Sequence, residues 1–159
     1  MQAFFASRSF QTALSTHTYS NLWLYPYGYD AFLPANDGDY QEVTALAIAV
    51  NGYLAGPSAT TLYLANGVTT DHEHETHGTM SWTPEIGGDA DGFWPPSSRI
   101  VPLAEENHLG FQTTALAAGP YVHADPVFDE LGDGDGYWEA GETLAWPRLW
   151  NTGRAGPPP

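Results

Sequence analysis

The chain has 159 residues, and its 4 Lys+Arg against 19 Asp+Glu give a formal net charge of −15 at pH 7. This charge excludes the broad basic surface that nucleic acids and anionic membranes attract, so neither is expected as a partner. The absence of cysteine excludes disulfides, thiolate metal sites and cysteine nucleophiles, whereas a hydrophobic fraction of 42% is enough for a folded core.

The first predicted elements are a strand, an aromatic loop and a helix. Residues 10–16 are rich in β-formers and predict a short strand that ends directly before His17. The aromatic and proline-containing stretch 19–34 is interpreted as a loop. Apolar residues then recur at helical spacing over residues 39–50 and predict a helix.

Two further strands and a long helix are predicted in the following segment. Residues 60–64 and 79–86 read as strands, and the second of them carries Glu85 near its end. A loop rich in glycine and proline, residues 87–98, separates this strand from a predicted helix over residues 103–118.

The Gly119-Pro120 pair predicts a domain boundary, with one domain over residues 1–119 and a second segment over residues 120–159. Strands that alternate with helices indicate an α/β fold. Residues 1–8 do not have the pattern of a secretory signal peptide.

His17 and Glu85 are the first candidates for chemistry because ligands of open α/β sheets bind at the carboxyl ends of strands. An imidazole there is a candidate metal ligand, and a carboxylate is a candidate general base. For either residue taken alone, a structural or solvated role is the more common one.

The residues around both candidates resemble the zinc carboxypeptidase family. Residues 14–28, with His-Thr-Tyr-Ser followed by Tyr-Pro-Tyr-Gly, resemble the segment that carries the family's third zinc ligand. In matching order, residues 62–71 resemble its mobile tyrosine segment, and residues 81–87 its catalytic glutamate strand. Residues 93–107 are similar to the closing segment and last helix of bacterial members, so the resemblance covers roughly residues 8–119.

The resemblance implies a role for four residues of this sequence. His17 would be a zinc ligand and Glu85 the general base, while Tyr63 would fold over the end of the substrate and Thr70 would line the pocket for the terminal side chain. The implied activity is removal of C-terminal residues from peptides with Zn²⁺ as cofactor, and the implied partners are the C-termini of peptides or proteins.

One departure from the family is important. A catalytic zinc needs three protein ligands, and in the family the other two form a His-x-x-Glu pair far upstream of the third, whereas sixteen residues precede His17. We therefore expect a partial mixed β-sheet flanked by helices, with its N-terminal half missing, inactive alone and prone to self-association through an uncovered edge. A literal His-x-x-Glu pair, His72 and Glu75, is interpreted as part of a solvated loop.

The acidic segment near the C-terminus partly fits a calcium loop. Asp133, Asp135 and Glu142 take positions three, five and twelve of the loop, but Leu131 takes the first position, so an acidic turn is an equal alternative. With a strand predicted over residues 143–149, the segment resembles the start of immunoglobulin-like β-sandwich modules that follow secreted bacterial hydrolases.

This second resemblance implies an exported protein, extracellular or periplasmic in its full-length form. The alternative to a peptidase fragment is a non-catalytic binding or structural remnant that calcium stabilises. In that alternative, His17 and Glu85 would be left over from an ancestral enzyme.

Overall fold

A computed structural model describes residues 2–119 and two short strands farther along the chain. The chain divides into two units, Met1–Gly119 and Pro120–Pro159. The predicted calcium ligands Asp133, Asp135 and Glu142 lie outside the described residues, so the calcium site stays a prediction.

The first unit contains helices and strands in irregular alternation. In chain order they are α1 (Gln2–Ala6), β1 (Thr12–Leu14), β2 (Leu22–Tyr25), α2 (Asp37–Ala47), β3 (Leu54–Pro57), α3 (Ser58–Thr61), α4 (Thr69–His77), β4 (Met80–Glu85), a 3₁₀ turn (Ser97–Arg99) and α5 (Ile100–Leu116). None of the helices in the described part of the chain has the length and apolarity needed to cross a membrane.

The four strands form one mixed sheet in the order β1-β4-β2-β3. The outer pairs β1–β4 and β2–β3 are parallel, whereas the central pair β2–β4 is antiparallel. A mixed sheet flanked by helices confirms the predicted fold class. In the second unit, β5 (Asp129–Leu131) and β6 (Thr143–Ala145) pair in antiparallel fashion, and β6 lies within the strand predicted over residues 143–149.

The structure confirms both long helices, the strand before His17 and the strand that ends at Glu85, but the interpretations of residues 22–25 and 60–64 were wrong. Leu22–Tyr25, taken as part of a loop, is a central strand buried at every position, so it lacks the alternation that marks a half-exposed strand. Residues 60–64 form no strand. The chain instead makes a turn of helix, Ser58–Thr61, because it folds back tightly on β3, where Thr61 Oγ1 occupies the space of a Cβ at Gly56.

The hydrophobic core lies between the sheet and helices α2 and α5. Trp23 and Trp82 are fully buried there, and Trp82 Nε1 donates a hydrogen bond to Thr44 Oγ1 of α2 at 2.9 Å. Tyr25 stacks on Tyr40 with ring centroids 5.0 Å apart. These contacts hold the central strands β2 and β4, so the core fixes the part of the sheet that carries Glu85.

Helix α5 approaches the core closely at Gly110. A Cβ at this position would lie 2.7 Å from Trp23 Cζ3 and 3.1 Å from the Ala47 carbonyl oxygen, and it would overlap the rest of the indole edge. Neither neighbour is the far end of a flexible side chain. The absence of a side chain at Gly110 therefore allows α5 to pack against β2 and α2.

We expect Gly110→Ala to lower the free energy of unfolding by about 1–3 kcal/mol, since overpacking of Trp23 outweighs the helix propensity gained. Gly38→Ala is the matched control because Gly38 is also helical and has nothing within 4 Å of a Cβ. Urea denaturation followed by tryptophan fluorescence measures both variants. Equal stability of the two variants would contradict this packing.

Candidate active site

The pairing of β1 with β4 places His17 beside Glu85. The register that matches Leu14 with Trp82 continues past the end of β1 to an isolated parallel bridge between His17 and Glu85. The His17 N–H donates to the Pro84 carbonyl at 2.9 Å, and the Ile86 N–H donates to the His17 carbonyl at 3.0 Å. Residues paired in neighbouring strands present their side chains on the same face of a sheet, so the two functional groups lie together.

The imidazole and the carboxylate are close, but they are not hydrogen-bonded to each other. His17 Nδ1 lies 3.9 Å from Glu85 Oε1, which is longer than a hydrogen bond between nitrogen and oxygen. The side chain of His17 is 57% exposed and that of Glu85 is 11% exposed. The pair thus has a solvent-facing nitrogen donor next to a shielded carboxylate.

Burial raises the pKa of Glu85 above its ordinary value, and the nearby His17 lowers it by a smaller amount. The effect of burial has a direct cause, since β4 is buried along its whole length and Glu85 is its last residue. A carboxylate with a raised pKa accepts and returns protons more readily near neutral pH. The carboxyl of Glu85 is therefore a candidate for proton transfer.

His17 fits one position of a zinc site, because zinc binds an imidazole nitrogen well. Over residues 2–119, however, no group of three or more His, Asp or Glu side chains is placed to hold a metal ion. The described residues consequently fit a single ligand position and not a complete three-ligand site.

The family model for zinc carboxypeptidases matches residues 1–110. The chain belongs to the zinc carboxypeptidase family. This matched range contains both His17 and Glu85. Membership agrees with the resemblance in the sequence, whereas a bacterial type and a C-terminal position within the domain stay predictions.

Curated relatives of the family are similar to the matched part of the chain. Carboxypeptidase A4 of Mus musculus is 33% identical over 112 residues, which cover 66% of this chain and 27% of the relative. Carboxypeptidase B of Astacus astacus is 34% identical over 113 residues, which cover 64% of this chain and 36% of the relative. The chain thus spans about a quarter to a third of these relatives.

Solved structures of the family share the fold. Bovine thrombin-activatable fibrinolysis inhibitor, in complex with tick carboxypeptidase inhibitor, matches with a TM-score of 0.62 and 26% identity over 66% of this chain and 38% of that chain. Carboxypeptidase A from Helicoverpa armigera matches with a TM-score of 0.64 and 22% identity over 74% of this chain and 32% of that chain, which supports the fold alone.

The two residues that the family resemblance assigns to substrate lie in different surroundings. Tyr63 is 64% exposed and follows α3 in an irregular segment, and its role over a substrate stays a prediction. Thr70 is fully buried in α4, and its hydroxyl has no hydrogen-bond partner. Thr70 therefore belongs to the interior here, and its role in a side-chain pocket stays a prediction.

The interpretation of residues 72–77 as a solvated loop was wrong. These residues belong to helix α4, which ends at Gly78 in a left-handed conformation. Asp71 accepts hydrogen bonds from the Gly28 and Tyr29 N–H groups, and these bonds attach α4 to the Tyr-Pro-Tyr-Gly turn after β2. Alternating His and Glu residues obscured the helix, since the segment has little apolar periodicity.

Glu73 of α4 is a buried carboxyl that the sequence did not single out. It is 4% exposed, and its Oε2 has no hydrogen-bond partner. Burial raises the pKa of Glu73 from 4.5 to about 7. Glu73 lies three positions from Thr70 on α4, and Ser81 Oγ donates to the Thr70 carbonyl at 2.8 Å.

We expect the stability of Glu73→Gln to increase relative to that of wild type as the pH rises. The folded chain keeps the Glu73 proton up to a pKa of about 7, whereas the unfolded chain loses it near 4.5, so wild-type stability falls between these values. The variant lacks this loss, which amounts to roughly 3 kcal/mol at most.

Urea denaturation at pH 5 and pH 8 measures this difference. Exposed Glu42 of α2 provides the control, because Glu42→Gln removes a carboxyl without a burial penalty. A difference in the free energy of unfolding between wild type and Glu73→Gln that is the same at pH 5 and pH 8 would contradict the raised pKa of Glu73.

Proposed function

We propose that this chain is the C-terminal part of a zinc carboxypeptidase catalytic domain that removes C-terminal residues from peptides. His17 is its zinc ligand and Glu85 its general base. The observation that supports this function is the 3.9 Å separation of His17 Nδ1 and Glu85 Oε1 at the end of a buried strand.

The zinc of this family, when bound, lowers the pKa of a water molecule and polarises the scissile carbonyl. In this chain, His17 offers one imidazole nitrogen from the solvent-exposed side of the pair. No group of three or more His, Asp or Glu side chains among residues 2–119 is placed to hold a metal ion around it. We infer that further ligands come from outside residues 2–119, and that the 159-residue chain is inactive alone.

Glu85 would hold the proton during the reaction. Its carboxylate takes a proton from the attacking water and later gives it to the leaving amine nitrogen. The low exposure of Glu85 favours this role, because burial brings its pKa closer to neutral and keeps bulk water from competing for the proton. The direction of the pKa shift and the position of the carboxylate both support a general base.

The substrate would be a peptide or protein with a free C-terminus. Tyr63, exposed on a segment between α3 and α4, would close over the terminal residue. The role of Thr70 in the pocket rests on the family resemblance alone, because Thr70 is fully buried in α4.

The full-length protein would be an exported enzyme of bacterial type, as the resemblance of the segments around residues 93–107 and 129–146 implies. The isolated chain would also associate with itself. β1 is an outer strand of the described sheet, and an unpaired strand edge is a template for pairing with another chain.

We expect the isolated chain with one equivalent of zinc to hydrolyse neither a peptide with a free C-terminus nor its amide-blocked counterpart. A chimera in which the matched residues of this chain replace those of Carboxypeptidase A4 of Mus musculus should cleave only the free peptide. In that chimera, Glu85→Gln should reduce kcat by roughly 10²- to 10⁴-fold, the usual contribution of a general base.

Exposed Glu105 of α5 supplies the matched control, since Glu105→Gln removes the same charge far from the proton-transfer geometry. Circular dichroism verifies that each chimera folds. Full activity of the Glu85→Gln chimera would refute the assignment of the base, and turnover by the isolated chain would refute the need for outside ligands.

A further inference from the structure

The chain contains two Asn-Gly pairs, Asn51-Gly52 after α2 and Asn66-Gly67 between α3 and α4. An asparagine followed by glycine is prone to spontaneous loss of its side-chain amide, because glycine has no side chain to hinder attack by its own backbone nitrogen on the asparagine amide carbon. The reaction requires that the nitrogen and the amide carbon approach each other. The surroundings of each pair therefore decide which of the two can react.

The first pair is held by hydrogen bonds at both reacting groups. Asn51 Oδ1 accepts from the Tyr53 N–H at 3.1 Å, and Asn51 Nδ2 donates to Asn107 Oδ1 at 3.1 Å. Asn107 is fully buried, so this partner is fixed within the fold. The Gly52 N–H donates to the Ile48 carbonyl at 3.1 Å. The first pair must therefore open locally before it can react.

The second pair lacks these restraints. Asn66 and Gly67 are both exposed, and a Cβ at Gly67 would have nothing within 4 Å. Gly67 has a φ of +76°, which glycine adopts readily. Over residues 2–119, no hydrogen bond engages the Asn66 side chain or the Gly67 N–H. The amide carbon of Asn66 and the nitrogen of Gly67 are consequently free to approach each other.

The residues on either side of the second pair are anchored to Gly28, in the Tyr-Pro-Tyr-Gly turn after β2. The Ala65 N–H donates to the Gly28 carbonyl at 2.8 Å. On the other side, Val68 packs so closely that a Cβ at Gly28 would lie 2.9 Å from Val68 Cγ2. The exposed pair thus joins two fixed points, and a longer main chain here would change the spacing between them.

We propose that Asn66 is a site of spontaneous deamidation, whereas the fold protects Asn51. The backbone nitrogen of Gly67 attacks Asn66 Cγ, so the N–Cγ bond forms, the Cγ–Nδ2 bond breaks and ammonia leaves. The proton of the Gly67 N–H passes through solvent to the leaving nitrogen. Water then opens the cyclic imide at either carbonyl carbon and gives aspartate or isoaspartate. A negative charge and, in isoaspartate, an extra main-chain methylene thereby enter the segment that carries Tyr63.

The test incubates the intact 159-residue chain at mildly alkaline pH, once folded and once in guanidinium chloride. Pepsin digestion at acidic pH stops the reaction and separates the two asparagines, and mass spectrometry measures the conversion of each amide to a carboxyl. In the folded chain, we expect Asn66 to react about tenfold or more faster than Asn51, because the hydrogen bonds of the first pair must break before it reacts. In guanidinium chloride, the two rates should become similar.

Two matched variants assign the reaction to its residue. Asn66→Gln should abolish most of the ammonia released by the folded chain, because attack on the longer side chain would have to close a larger ring. Asn51→Gln should release ammonia at the wild-type rate. Fragment ions of the wild-type peptide should show isoaspartate beside aspartate at position 66.

Equal rates at Asn51 and Asn66 in the folded chain would overturn the proposal. A preference for Asn66 that persists unchanged in guanidinium chloride would overturn it as well, because the fold would then have no part in the selectivity. Aspartate without isoaspartate at position 66 would exclude attack by the Gly67 nitrogen.

Discussion

The parallel pairing of β1 with β4 is the interaction on which the rest of the site depends. It brings His17 next to Glu85, although the two residues are far apart in the sequence and several helices and strands lie between them. Two backbone hydrogen bonds, to the Pro84 carbonyl and from the Ile86 N–H, fix the position of the His17 backbone. A shift of the register by one residue would move one of the side chains to the opposite face and separate the pair.

The buried core makes this register rigid. β4 lies between β1 and β2, and Trp82 joins it to α2 through the hydrogen bond to Thr44. Gly110 allows α5 to cover Trp23 on the neighbouring strand. The same burial that stabilises β4 desolvates Glu85 at its end, so the packing of the sheet and the proton affinity of the carboxylate have one cause.

Local sequence patterns predicted the elements that carry His17 and Glu85, and the family resemblance predicted their partnership. Strand β2 was missed because four consecutive buried residues give no alternation, and α4 was missed because none of its nine residues is apolar and the segment has no apolar periodicity. The burial of Thr70 and Glu73 depends on how α4 packs against β4, which no single segment encodes.

Amide hydrogen exchange of the 159-residue chain tests the central pairing most directly. The Ile86 amide donates to His17, and the His17 amide donates to Pro84, at positions where β1 has already ended. We expect both amides to be protected to a degree similar to that of the Ser15 amide, which donates to the Trp82 carbonyl. Exchange of the His17 and Ile86 amides at the rate of an unstructured peptide would contradict the proximity of the imidazole and the carboxylate.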